Sequence, residues 1–100
     1  MSIQIGNYNF DGPHGSTNGL RAQSGVYVIL GRNSDSTWRI LDIGKSQSVK
    51  ERVENHDRKP DWQRQGHQEL AVAALYVPVH QRMAIERGLR THYNPPCGDR

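Results

Sequence analysis

The periodicities of this chain predict an α/β (α+β) fold: a small sheet of about three strands, mixed or antiparallel, flanked by helices. Three observations carry that expectation. Residues 24–30 (SGVYVIL) and 38–44 (WRILDIG) alternate like strands and are bounded by glycine. Residues 70–77 (LAVAALYV) form a third apolar run. Residues 48–56 and 79–93 carry apolar side chains four apart, which is helical spacing.

Taken in chain order, Ile3, Ile5, Tyr8 and Phe10 alternate on either side of Gly6-Asn7, a dipeptide suited to a tight turn, so a short hairpin or edge strand is expected there. The glycine-, asparagine- and proline-rich run from Asp11 to Gln23 reads as loop. Residues 1–23 are therefore expected as an N-terminal extension, and residues 24–100 as the working domain. Val26, Val28 and Leu30 share one face of the next strand, with Tyr27 and Ile29 on the other. The short Asn33-Ser34-Asp35-Ser36 connection makes residues 38–44 its antiparallel neighbour. In that second strand Trp38, Ile40 and Asp42 should alternate with Arg39, Leu41 and Ile43.

Ser48 with Glu51 has the spacing of a capping box, and Val49 with Val53 gives the helix behind it a narrow apolar stripe. Arg52 and His56, four apart, share the adjacent face. The polar stretch from Asp57 to Gln68, with Pro60 and Gly66, reads as a loop carrying Trp62. Residues 70–77 read as a central strand, although Ala71, Ala73 and Ala74 are also compatible with a helix. The last helix should run from Val79 to Tyr93 and stop at Asn94-Pro95-Pro96, because proline cannot continue the hydrogen-bond ladder.

A chain of 100 residues supports one core. Only 34% of it is hydrophobic and the mean hydropathy is −0.83, so a thin core under a polar surface is expected. No apolar run approaches the roughly 20 residues needed to span a bilayer, and Met1-Ser2-Ile3-Gln4 lacks the features of a signal peptide. No membrane contact and a cytoplasmic location are expected. The single cysteine, Cys97, excludes an internal disulfide and is expected as a free thiol in a C-terminal loop, since His92 and Cys97 lack the further partners of a zinc site. Thirteen Lys and Arg against ten Asp and Glu leave a formal charge of +3, a balance that favours a polyanionic partner.

Individually, the polar residues that stand out have structural roles. Tyr27 reads as an amphipathic strand residue, Arg52 as a solvated helix charge, and Glu86 as a helical partner of Arg82 or Arg90. Their order along the chain changes the reading. Gly25-Val26-Tyr27 resembles the first signature of the GIY-YIG nuclease family, and Asp42-Ile43-Gly44-Lys45 falls on the second. Arg52 and His56 follow, then Glu86 in an Ile-Glu-x-x-Leu helix ahead of Asn94-Pro95-Pro96. The similarity covers residues 24–98. Asp42 stands where the family's second tyrosine is placed, and Gly98 where an asparagine usually follows the prolines.

The resemblance implies a phosphodiester hydrolase acting on DNA, leaving 5′-phosphate and 3′-hydroxyl ends. It implies Tyr27 as general base, with Lys45 or a metal-bound hydroxide assisting a phenol whose ordinary pKa is near 10. Arg52 would clamp the scissile phosphate, since a guanidinium bonds two oxygens at once. Glu86 would hold one Mg²⁺ or Mn²⁺ that keeps most of its waters, and His56 would orient water or phosphate. Asp42 is a second metal ligand, a partner of Lys45 or Arg52, or the mark of a site that has lost catalysis. Lys45, Lys50, Arg52, Arg58, Lys59 and Arg64 form the expected contact with double-stranded or branched DNA, with Trp62 placed to stack or wedge; the alternative is a solvated rim with Trp62 packed on the domain. The alternatives are a non-catalytic nucleic-acid-binding or protein-interaction module on the same fold, and a component of a larger repair or restriction assembly.

Overall fold

In the computed structural model, which describes residues 1–98, five strands and three helices form one α+β layer structure. The strands are β1 (Ser2–Ile5), β2 (Tyr8–His14), β3 (Gly25–Arg32), β4 (Trp38–Ser46) and β5 (Leu70–Tyr76). The helices are α1 (Val49–Glu54), α2 (Lys59–Arg64) and α3 (Val79–Tyr93). The sheet order is β1-β2-β5-β3-β4 and every neighbouring pair is antiparallel.

The sheet thus has five strands where three were expected. The difference lies in residues 1–14, which are more than an appendage. Gly6-Asn7 turns β1 into β2 as its chemistry predicts, but β2 then continues through Pro13 to pair with β5, with an irregular register between Asp11 and His14. Phe10, fully buried, joins Ile5 in the core beneath α3.

β3 is the central strand of the functional half, and its strict alternation sorts the core into two layers. Val26, Val28 and Leu30 pack with Leu89 on the α3 side, whereas Tyr27 and Ile29 pack with Val49, Val53 and Trp62 on the α1–α2 side. The alanines of β5 are strand residues between β2 and β3, because Ala73 and Ala74 are buried on opposite faces of the sheet.

Two local expectations change. The 57–68 stretch is not all loop: Pro60 sits in the first turn of α2, where its missing N–H costs nothing, and Trp62 is α2's buried residue. Ser48 does precede α1, but its side chain makes no capping bond, and its Oγ is buried without a partner. α3 runs over the predicted residues and ends at Asn94 in the left-handed region (φ 46°), ahead of Pro95-Pro96. Among the described residues no helix is long and apolar enough to cross a membrane.

If the first strands belong to the core, truncating their anchor should unfold the whole domain. Phe10→Ala is expected to lower stability by about 3–5 kcal/mol, as for other buried Phe truncations, read from the midpoint of urea unfolding. A loss under about 1 kcal/mol, within the range of a surface change, would restore residues 1–14 to the status of an appendage.

Candidate active site

The site begins with an irregularity in β4. Ile29 faces Asp42 across the ladder while Leu30 faces Ile40, so Leu41 is an extra, bulged residue. Simple alternation would put Asp42 on the same side as Trp38 and Ile40. The bulge instead turns it toward the α1–α2 side, opposite Ile29 and next to Leu41, which packs in that layer.

There Asp42 is completely buried and fully engaged. Its Oδ2 accepts from Arg58 Nε (2.8 Å) and Trp62 Nε1 (2.8 Å). Its Oδ1 accepts from Arg90 Nη2 (2.6 Å), from Arg58 Nη2 (3.3 Å) and from the Ile43 backbone N–H (2.8 Å). One carboxylate thereby ties β4 to the start of α2, to Trp62 within it and to α3. Gly98, at φ +96°, closes over this group, and a Cβ there would strike both Arg90 and Asp42.

Above this group lies a cleft of about 170 Å³ lined by Tyr27, Gly44, Lys45, Arg52, Arg58, Glu86 and Arg90. Tyr27, Lys45, Arg52 and Glu86, which the family resemblance implied for one site, line it together. Each comes from a different element: β3, β4, α1 and α3. Gly44 faces Tyr27 across the ladder, and any side chain there would collide with the phenol oxygen. Arg52 is paired with the exposed Asp57 at 3.3 Å, while Glu86 accepts from Arg90 Nε at 3.2 Å.

His56 is buried behind Tyr27 and does not line the cleft. Its Nε2 lies 2.6 Å from the Tyr27 hydroxyl. Its Nδ1 accepts from the Arg58 backbone N–H at 3.1 Å. Asp57 Oδ1 also lies 3.3 Å from Nδ1. The two contacts demand opposite protonation of that nitrogen, and the amide prevails, since it needs an acceptor while Asp57 is exposed to water. Burial, reinforced by Arg52 and Arg58, lowers the His56 pKa to about 4, so the ring is neutral at pH 7.

Tyr27 experiences the same conflict with the opposite outcome for its pKa. Its side chain is buried, and desolvation pushes the phenol up to about 12 against the lowering pull of Arg52. The nearby cations do not yield a phenolate in the protein alone. At Arg58 burial works against the charge, but the hydrogen bond and charge of Asp42 outweigh it and raise the pKa.

Several expected contacts lie elsewhere. Asp42 is not in the cleft and has no open face for a metal ion, so its roles as metal ligand and catalytic group are replaced by a structural one. Trp62 is buried with its N–H on Asp42 and is not available to stack on a base. Lys59 donates to the Glu54 carbonyl, and Arg64 pairs with Asp61. Lys50 lies half-buried on α1. Cys97 is a free thiol in the loop after α3, as expected, and it is buried in the α1–α2 layer, where burial raises its pKa. A larger hollow of about 240 Å³ lies beside residues 14–17; its walls include Ile29, Val53, Trp62, Leu70 and Val72, with Lys59 and His14, which is paired with Asp11 at 3.1 Å, in its polar lining.

Arg90 was the residue whose role sequence order missed. Its spacing of four from Glu86 signalled the helix pair, but nothing signalled its bond to Asp42. The chain matches no family model, no curated protein and no solved structure.

Two measurements test this arrangement. Asp42→Ala strands buried arginines and should cost about 3–5 kcal/mol in urea unfolding. A wild-type-like midpoint would show that the carboxylate is dispensable. His56 is neutral when folded down to about pH 4, yet in the unfolded chain it takes up a proton near 6.5. Stability from this group is complete above pH 6.5 and falls as pH drops toward 4, by about 2 kcal/mol between pH 7 and pH 5. His56→Gln should remove that share of the slope. An unchanged slope would mean that His56 is protonated in the folded protein.

Proposed function

We propose that this chain is a metal-dependent endonuclease of GIY-YIG type that hydrolyses DNA phosphodiester bonds in the Tyr27–Arg52–Glu86 cleft. One observation supports it above all others: a phenol, a lysine, an arginine and a carboxylate from four separate elements line a single small cavity. Hydrolysis of a phosphodiester needs charge neutralisation at the phosphoryl oxygens and proton transfer at the entering and leaving oxygens. Arg52 and Lys45 supply the first. Tyr27, held by His56, supplies a proton-transfer group.

Glu86 is the one carboxylate among the described residues lining the cleft, and it already accepts from Arg90. No cluster of three or more metal-binding side chains occurs among the described residues. Mg²⁺ or Mn²⁺ fits such a donor set when substrate phosphate and water complete its shell, which is the habit of a small hard cation. Glu86 would hold it, and the bound ion would supply Lewis-acid stabilisation and an acidified water. DNA would run over Lys45 and Arg52, with Lys50 on another face of α1. Their small footprint suits recognition of backbone shape in double-stranded or branched DNA, within or outside a larger repair or restriction assembly.

A second reading, a non-catalytic nucleic-acid-binding module, draws on the burial of Tyr27 and its raised pKa. Supercoiled plasmid separates the two. The endonuclease nicks it with Mg²⁺ or Mn²⁺, and Glu86→Ala or Arg52→Ala lowers the rate by roughly 100-fold or more, the scale of losing one charge-stabilising group. Salt-dependent binding without cutting under either metal gives the answer to the binding module.

A further inference from the structure

We infer that the cleft is matched to a phosphate dianion, with Arg58 as a fixed second arm beside Arg52, so that the protein holds the 5′-phosphate strand end left by a cut more tightly than the uncut phosphodiester. The inference rests on the nuclease reading above and concerns what that site binds, not how it breaks the bond. It starts from charge. Lys45, Arg52, Arg58 and Arg90 line the cleft against Glu86, with Asp42 buried beneath them. Four cations thus meet two carboxylates, an excess of two positive charges around a hollow of about 170 Å³. Asp57 also pairs with Arg52, at 3.3 Å, but it is exposed, so water screens it and an anion displaces it at little cost.

The arginines differ in how far they are already committed. Arg90 bonds Glu86, the Cys97 carbonyl and Asp42, so it contributes charge to the cleft and little else. Arg58 is half committed. Its Nε and Nη2 lie on Asp42 at 2.8 and 3.3 Å, which turns the opposite edge of the guanidinium, Nη1, away from that carboxylate. Among the described residues Nη1 has no hydrogen-bond partner, and Arg58 lines the cleft. Asp42 is completely buried and held from other sides by Trp62 and Arg90, so the plane of the Arg58 guanidinium is fixed before any ligand arrives. A donor fixed in advance loses little freedom on binding.

A phosphodiester brings one negative charge and two free oxygens to this site, which Lys45 and Arg52 can match between them. A terminal phosphate brings a charge of about −1.5 to −2 at neutral pH and three strong acceptor oxygens. The added charge meets the remaining excess of the lining, and the added oxygen gives Arg58 Nη1 a partner. The cut end is therefore the better ligand, and its departure, not the cut, sets the pace of repeated turnover.

Two small probes isolate the charge: methyl phosphate, a dianion, and dimethyl phosphate, a monoanion, titrated into the protein at about pH 7.5 in EDTA and followed by ³¹P NMR. Methyl phosphate should bind roughly tenfold or more tighter, the scale of one further charge-assisted hydrogen bond. Arg58→Gln should reduce that preference to about threefold or less. Because Arg58→Gln also strips a partner from Asp42, Lys45→Ala provides a second variant at an exposed position, and it too should narrow the preference. Equal affinity for the two probes, binding of neither, or a preference unchanged in Lys45→Ala or in folded Arg58→Gln overturns the inference. A duplex with 5′-phosphate ends should displace methyl phosphate at lower concentration than the same duplex with 5′-hydroxyl ends. No difference between the duplexes overturns the assignment to strand ends and leaves a site for a free phosphate monoester. Dianion preference in a protein that cuts plasmid with neither metal upholds the anion site and removes the nuclease reading, whereas cutting without the preference does the reverse.

Discussion

The buried carboxylate of Asp42 is the constraint on which the arrangement depends. Taking a carboxylate and two guanidinium groups out of water is expensive, and the bonds made in return roughly offset that expense without a large net gain. What the group supplies is position. Arg58 and Arg90 follow Asp42 at 16 and 48 positions, one at the start of α2 and one in α3, and meet on its carboxylate. Trp62 fills the third side with an N–H that matches the remaining lone pair. The cleft above inherits its walls from this meeting point, because Arg58 and Arg90 line it while Asp42 anchors them from below.

The same packing explains the unusual state of Tyr27 and His56. Tyr27 and His56 belong to the apolar layer beneath α1 and α2, and His56 lies 4.8 Å, ring to ring, from Trp62. In that environment the charged forms of both groups are disfavoured, so the phenol rises and the imidazole falls. For His56 the flanking arginines add to the effect; for Tyr27, Arg52 opposes it without prevailing. The neutral state of both rings is therefore built in by burial, and the backbone amide of Arg58 selects which nitrogen of His56 carries the proton.

Much of this was legible in the sequence, for identifiable reasons. The β3 alternation and the Gly6-Asn7 turn read correctly because each depends only on neighbours along the chain. Tyr27, Lys45 and Arg52 come from the successive elements β3, β4 and α1, which leaves little freedom in where their ends meet, whereas Glu86, beyond α2 and β5, was grouped with them only by the family resemblance. What failed depended on contacts distant in sequence. The pairing of β2 with β5 joins segments some sixty positions apart and has no local signature. The bulge at Leu41 reversed the side to which Asp42 points, and a single extra residue is invisible to a period-two pattern. The polar neighbours of Trp62 left its placement open between stacking outward and packing on the domain, and α2 presents it inward as its one buried residue. The capping box had the right letters and lacks its bonds: Ser48 Oγ makes none, and the Ser48 amide that Glu51 would reach already donates to Ser46 Oγ.

The donor set also bears on the order in which ligands would assemble. The cleft brings Lys45, Arg52, Arg58 and Arg90 around the single carboxylate of Glu86, with Asp42 beneath already shared between two of the arginines. A divalent cation approaching that group alone meets net repulsion and one carboxylate engaged by Arg90. A phosphate group reverses the balance, because its oxygens satisfy Lys45 and Arg52 and at the same time offer the hard ligands that Glu86 cannot supply alone. Under the nuclease reading, nucleic acid and metal therefore enter as one thermodynamic unit, each raising the affinity for the other by the same factor. On that reading the cleft would be an anion site first, and a metal site only through the anion it holds.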